Sequence, residues 1–277
     1  MEFKENGSIK LPKTKEILEN IDMEKCKRIV NLLFEDYSEK RGVFNKFRFP
    51  PEYNLPKNMK RGSNEQLLFV TLTVSLDYMR DADKLWKQSY DSWLNGENKW
   101  IFEPKKVIEK GEIVLVNLFK KIKDQRPNKD GGIWFDICKK LTEFDSNVFN
   151  LLEKFDFDAV KIGNYLEDNK KDFPFLSGKK IKPLWLRMIN DAVGISLKNI
   201  EKIPIPLDVH TVRLSLKILF NESFDGDITN KIRSRINKGW EKVLEGGNIY
   251  SLQLDEPLWM LGKHKLFDKF MKEHRLS

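Results

Sequence analysis

The stretch IPIPLDVHTVRLSL (203–216) carries the residue best placed for chemistry, Asp208. Pro204 and Pro206 fix φ and bias the residues before them to extended geometry, so the backbone reaches Asp208 stiffly. Asp208 then stands where an N-cap belongs, ahead of Val209, Val212, Leu216 and Leu219 on one helical stripe. On the plain reading it accepts backbone N–H bonds and does nothing else. On the functional reading it is also a rigid negative charge beside the positive end of a helix dipole. That setting suits the stabilisation of a cation developing in a transition state. Metal and thiol chemistry find no comparable setting. Cys26 and Cys138 are the two cysteines, far apart in the chain, and His210, His264 and His274 are scattered. Neither a disulfide framework, a cysteine-held cluster nor a zinc site of sequence-local ligands fits that pattern.

The elements that must position Asp208 are helical throughout. Apolar positions Ile17, Ile21, Ile29, Leu32, Leu33 and Phe34 recur among charges over 13–38, as one helix or two. The Pro-rich, basic segment 44–64 is a long connection, since Pro50, Pro51 and Pro56 forbid a helix interior. Ser63, with Gln66 three residues on, forms a capping-box pattern ahead of the nearly all-apolar LLFVTLTVSLDYM, a helix expected to be buried on most sides. Further helices are expected over 81–94, 104–123, 133–154, 157–168 and 173–194, with the turn-rich DQRPNKDGG ahead of 133. After Asp208 the patterns continue over 208–220, 229–245 and 255–273. No run of alternating strands appears, so the fold class is all-α.

Apolar residues at 40% and aromatics at 12% supply a packed core over 277 residues, despite 33% charged residues. No stretch reaches the roughly 18 apolar residues of a membrane span, and the N-terminus has no apolar signal region. These features lead us to expect a cytoplasmic, nucleoid-associated protein with no membrane partner. The net charge of +8 permits a polyanionic partner, although a lysine-rich surface alone produces the same balance.

Two further motifs surround Asp208. Upstream, FPFLSGKKI (173–181) reads as a hairpin turn feeding the helix with Trp185, Met188, Ile189 and Ala192 inward, and downstream lies PLWMLGKHKLF (257–267). Together with LDVHTVR they resemble the helix-hairpin-helix DNA glycosylases. FPFLSGKKI is similar to that family's Leu-Pro-Gly-Val-Gly-x-Lys hairpin, LDVHTVR to its Val-Asp-Val-His element, and PLWMLGKHKLF to its Trp-x-x-Gly-Arg/Lys segment. Lys180 and Asp208 stand 28 residues apart in that order. Lys180, Leu184, Arg187 and Met188, with LLFVTLTVSLDYMRDADKLW upstream, are most similar to the archaeal 8-oxoguanine DNA glycosylase/lyase group. That group's base-reading glutamine falls near Asp77, where this sequence departs from the pattern.

The resemblance implies a single bilobal unit over 1–277 with the active site in the cleft between two helical subdomains. One is expected over about 63–172, the other over about 1–62 together with 173–277 and its hairpin. It implies a DNA base-excision-repair N-glycosylase with lyase activity, removing a damaged base such as an oxidised purine from double-stranded DNA. No cofactor is required, no iron-sulfur cluster can be held without a C-terminal four-cysteine loop, and a monomer is expected. Asp208 would stabilise the oxocarbenium-like cation and deprotonate the nucleophile. Lys180 would attack C1′ and form a Schiff base, with Lys182 as runner-up and Lys179, Lys182 and Arg187 as its positive neighbourhood. Gly178 would let backbone amides approach a phosphate, which Lys179, Lys182 and His210 would also contact, although His210 packing on its helix fits equally. The base pocket is unknown from sequence; Asp77 and Trp134 are candidates, with Trp100 and Phe102 as further aromatics near turns, while Trp86 and Trp185 read as core. The alternatives are a monofunctional enzyme that uses water, an N-glycosidase of modified nucleotides of the queuosine type, and a non-catalytic helix-hairpin-helix DNA-binding protein.

Overall fold

The computed structural model describes residues 21–45 and 50–276. Ile17, placed by the sequence reading in the first helix, lies outside the described residues. The all-α class holds: the described residues form thirteen α-helices, and the nearest thing to a strand is an isolated bridge between Asp158 and Lys198. The chain divides into two compact units, Met1–Phe47 with Leu207–Ser277 and Arg48–Pro206. The hairpin segment therefore shares a unit with the Ser63 helix, whereas the sequence reading groups it with the N-terminal residues.

The first unit contains α1 (Met23–Ser38), which opens on the Asp22 side chain accepting from the Lys25 amide at 3.0 Å. Its apolar face buries Cys26, Ile29, Val30 and Leu33. The rest of the unit is C-terminal, and α10 (Val209–Phe220) and α11 (Asn230–Leu244) pack together in it. The α11 residue Trp240 is fully buried and donates its indole N–H to Ser215 Oγ at 3.0 Å. The pattern over 255–273 proves to be two helices, α12 (Asp255–Lys263) and α13 (Phe267–Glu273), because Lys265 between them takes φ +55°. Left-handed backbone cannot continue a right-handed helix.

The second unit is built around α2 (Asn64–Ser75), on which residues Gln66 to Ser75 are all buried. Ser63 accepts from the Gln66 amide at 3.3 Å, and the Gln66 side chain reaches back to the Gly62 N–H at 2.8 Å. A helix buried on every side must satisfy its own hydroxyls. Thr71 donates to Leu67 O at 2.6 Å, Thr73 to Phe69 O at 2.8 Å and Ser75 to Leu72 O at 2.8 Å. Around it lie α3 (Ala82–Leu94), α4 (Pro104–Lys110), α5 (Glu112–Lys121), α6 (Pro127–Leu141), α7 (Val148–Lys154) and α8 (Ala159–Asp168). Two expected helices are broken. Gly111 at φ +83° divides 104–123 into α4 and α5, and Asp145 and Ser146 at φ +56° and +60° divide α6 from α7. Helix α6 also starts earlier than expected, inside DQRPNKDGG, because Pro127 occupies the first-turn position that tolerates proline.

The hairpin leads into α9 (Ile181–Met188), which ends in a π-helical turn, Ile189–Val193. Trp185, fully buried, crosses from α9 to α2 and donates to Thr71 Oγ1 at 3.0 Å. Truncation of such a residue to alanine costs about 3–5 kcal/mol, so α9 is anchored firmly to α2.

Candidate active site

Asp208 is the N-cap of α10, as its position ahead of the apolar stripe requires. One oxygen, Oδ1, accepts from the amides of His210 and Thr211, both at 2.8 Å, and from Thr211 Oγ1 at 3.1 Å. Thr211 Oγ1 in turn accepts from the Asp208 amide at 2.8 Å, closing a reciprocal capping box. The side-chain bonds of the half-buried carboxylate all fall on Oδ1, and among the described residues none falls on Oδ2. The approach to the cap is fastened too, since Arg233 on α11 donates to Leu207 O at 2.7 Å.

Gly262 on α12 belongs to the same corner. A Cβ there would lie 2.9 Å from His210 Cβ and 3.2 Å from His210 O. Only glycine allows α12 to approach the first turn of α10 so closely. His210 therefore packs its backbone and Cβ against Gly262, and its amide serves the Asp208 cap.

The hairpin is a compact turn. Ser177 N–H and Oγ–H both donate to Phe173 O, at 3.1 and 2.9 Å, and the Gly178 amide donates to Phe175 O at 2.8 Å. A Cβ on Gly178 would stand 2.8 Å from that same Phe175 oxygen, a backbone atom that cannot step aside. Glycine is therefore required by the turn itself.

Lys180 is the N-cap residue of α9. Its side chain is 24% exposed, and Nζ donates to Asp77 O at 3.3 Å and pairs with Asp77 Oδ2 at 3.4 Å. Asp77 follows the end of α2, with its amide on Val74 O at 3.0 Å. Lys182 is paired with Glu167, and Lys179 is exposed. Arg187, expected to lend Lys180 positive charge, instead lies 3% exposed and paired with Glu52 at 2.6 Å. It is a buried structural ion, because a guanidinium removed from water needs a carboxylate of its own.

The aromatic candidates need correction. Trp134 is fully buried and donates its indole N–H to Ile101 O at 2.6 Å, so it is core and lines no base pocket. Phe102 is also core, stacked 5.2 Å from Phe69. Trp100 is half-buried with Lys110 Nζ 5.4 Å from its ring. The sequence reading did place Trp86 and Trp185 in the core, where both are buried.

The sequence reading did not single out the aromatic pair that joins the residue after Asp77 to the hairpin. Tyr78, 40% exposed, follows Asp77, and its ring stands 4.9 Å from that of Phe175 in the hairpin. Lys129 sits 4.8 Å from the Phe175 ring, and Arg126 5.7 and 5.9 Å from the two rings. A tyrosine directly after an acid at the end of an apolar run, and a phenylalanine after Pro174, were the only signals available. Arg126 also donates to Leu76 O at 3.4 Å and pairs with Asp130 at 3.1 Å. Arg80 joins Asp130 and, at 3.0 Å, Asp124. Burial, and a hydrogen bond shared with Asp124, push the Asp130 carboxyl up to about 6 against the pull of Arg80. The loop carrying Asp77 and Tyr78 is therefore held from beneath by a buried charge network. An open hollow of about 770 Å³ adjoins it, lined by Met79, Arg80, Lys84, Gln88, Lys123 and Gln125.

Burial pushes the Cys26 thiol up to about 11 and raises the Cys138 thiol as well, which suits inert core residues. Among the described residues no cluster of three His, Cys, Asp or Glu side chains is suited to a metal ion, and no helix is long and apolar enough to cross a membrane.

No curated protein matches the chain. Residues 185–275 match the family model AGOG, N-glycosylase/DNA lyase, a span that includes Asp208, Thr211 and Gly262 and begins after Lys180. Over that roughly C-terminal third the chain is similar to the AGOG N-glycosylase/DNA lyases, in line with its resemblance to the archaeal 8-oxoguanine DNA glycosylase group of the helix-hairpin-helix superfamily.

Proposed function

We propose that this enzyme removes a damaged base, an oxidised purine being the favoured class, from double-stranded DNA, with Asp208 as its catalytic carboxylate and Lys180 as its nucleophile. The observation that carries this reading is the one-sided capping of Asp208. Oδ1 is consumed by α10, so the side chain cannot rotate away, while Oδ2 remains for the substrate. Breaking the N-glycosidic bond leaves positive charge on the sugar, and a carboxylate already fixed in place stabilises it without reorganisation.

In the bifunctional route the neutral amine of Lys180 attacks C1′ as the C1′–N bond breaks and its electron pair leaves with the base. Asp208 takes the proton released from the attacking nitrogen. Opening of the sugar ring then yields an iminium between C1′ and Nζ; loss of a C2′ proton to water forms a C2′=C3′ double bond as the C3′–O bond breaks and the 3′-phosphate leaves, nicking the strand. Gly178, with Lys179 beside it, is suited to the DNA backbone, because a side chain at 178 is already excluded by the turn.

The test is a panel of duplex oligonucleotides carrying 8-oxoguanine, uracil, hypoxanthine or an alkylated purine, scored for base loss and for nicking. One lesion should be released by the wild type, and Asp208→Asn should lose release while binding the duplex as before. Release by Asp208→Asn at the wild-type rate would overturn the reading. A duplex Kd insensitive to salt would favour a modified nucleotide as the substrate.

A further inference from the structure

We infer that Asp77 is a positioning residue for Lys180, holding its amine where attack on a sugar carbon begins; the inference rests on the proposed role of Lys180. Asp77 is 7% exposed, and a carboxylate withdrawn from water needs a compensating charge. Lys180 is the cation drawn to it among the described residues, and the two are 103 residues apart in the chain. Both halves of Asp77 take part, the main-chain carbonyl at 3.3 Å and the carboxylate at 3.4 Å. Two acceptors on one residue restrict the amine far more than a single flexible ion pair does.

Each partner is also set on a rigid element. Asp77 follows the buried helix α2 with its amide bonded to Val74 O, and the carbonyl just before it, on Leu76, is held by Arg126. Lys180 opens α9, which Trp185 fastens to that same helix. The neighbouring lysine has a different partner, for Lys182 is taken by Glu167. Asp77 therefore distinguishes Lys180 within a lysine-crowded segment. Positioning of this kind matters because misplacing a nucleophile by about 1 Å costs on the order of 100-fold in rate.

The experiment uses the full chain and two probes, neither of which requires knowing the damaged base. The first is a duplex with a single abasic site, followed by borohydride trapping of the covalent adduct in single turnover. The second is limited acylation with acetic anhydride, read lysine by lysine by mass spectrometry, with Lys182 as internal control. Asp77→Asn should form the adduct at least tenfold more slowly with duplex Kd unchanged, while acylation of Lys180 rises severalfold and that of Lys182 stays constant. Asp77→Glu should restore much of both. A merely structural role for Asp77 would move duplex affinity and the Lys182 control as well. If the wild type forms the adduct and Asp77→Asn forms it equally fast, the inference fails and the proposed function stands. If Lys180 acylation is the same in both proteins, the inference fails regardless of any DNA chemistry. If the wild type forms no adduct, the nucleophile assignment falls and takes the inference with it.

Discussion

Asp208 and Lys180 are held in opposite ways. The carboxylate is fixed by its own neighbours: the partners of Oδ1 lie two and three residues away, and the capping box is complete within Asp208–Thr211. The amine is held by a residue 103 positions distant, whose loop depends in turn on Arg126 and on the buried network of Arg80, Asp124 and Asp130. The first arrangement survives as long as one helix start survives. The second exists only when several helices of its unit have packed. A carboxylate proposed to stay fixed suits the local design, and an amine proposed to be set in place for attack suits the distant one.

This contrast can be broken experimentally, most sharply at the two residues themselves. Lys180→Gln should abolish both borohydride adduct and strand nicking on an abasic duplex, since no amine remains to form the imine. Asp208→Asn should leave adduct formation on the abasic site measurable but slow base release by roughly 100- to 1000-fold, the usual cost of removing one preorganised electrostatic group. If the two variants behaved identically on both substrates, the division of labour would be wrong.

Gly178→Ala comes next in size. Its Cβ would press on Phe175 O, and displacement of the turn should lower unfolding free energy by about 1–3 kcal/mol. If the hairpin amides meet a phosphate, the salt dependence of duplex binding should also become shallower, by about one in log–log slope. An unchanged slope would confine Gly178 to shaping the turn.

Thr211→Val tests the local side of the contrast. Loss of half a capping box should cost about 1 kcal/mol in urea denaturation, and base release should fall less than in Asp208→Asn because both amides still hold Oδ1. A further test concerns pH and belongs to the distant side. Asp130, raised from 3.8 to about 6, binds its proton more tightly in the folded protein than in the unfolded chain. The stability it contributes is present below its ordinary value and is lost as pH rises through about 6. Denaturation of Asp130→Asn between pH 4 and 7 should therefore lack one downward component seen in the wild type.

Legibility in the sequence follows the same division. The helices around Asp208, the cap itself and the core positions of Trp86 and Trp185 were readable, because periodicity and capping act over a few residues. The breaks at Gly111, Asp145 and Lys265 were not, since left-handed backbone at Asp145 and Lys265 leaves little mark on residue type. Arg187 looked like a site cation and is a buried partner of Glu52; Trp134 looked like a pocket wall and is core. In both cases a polar or aromatic side chain near a motif was indistinguishable, in sequence, from one turned inward.

By itself, then, the sequence determined an all-α chain, a stiff approach to a capped aspartate, and a glycine turn ahead of a lysine. Backbone stereochemistry and helix-end hydrogen bonding dictate those features locally. Tertiary structure alone decided which charges are neutralised and which remain for chemistry. Lys182 and Arg187 each acquire a carboxylate, Lys180 meets Asp77, and Tyr78 meets Phe175, through contacts that exist only once helices far apart in the chain have buried their shared apolar faces.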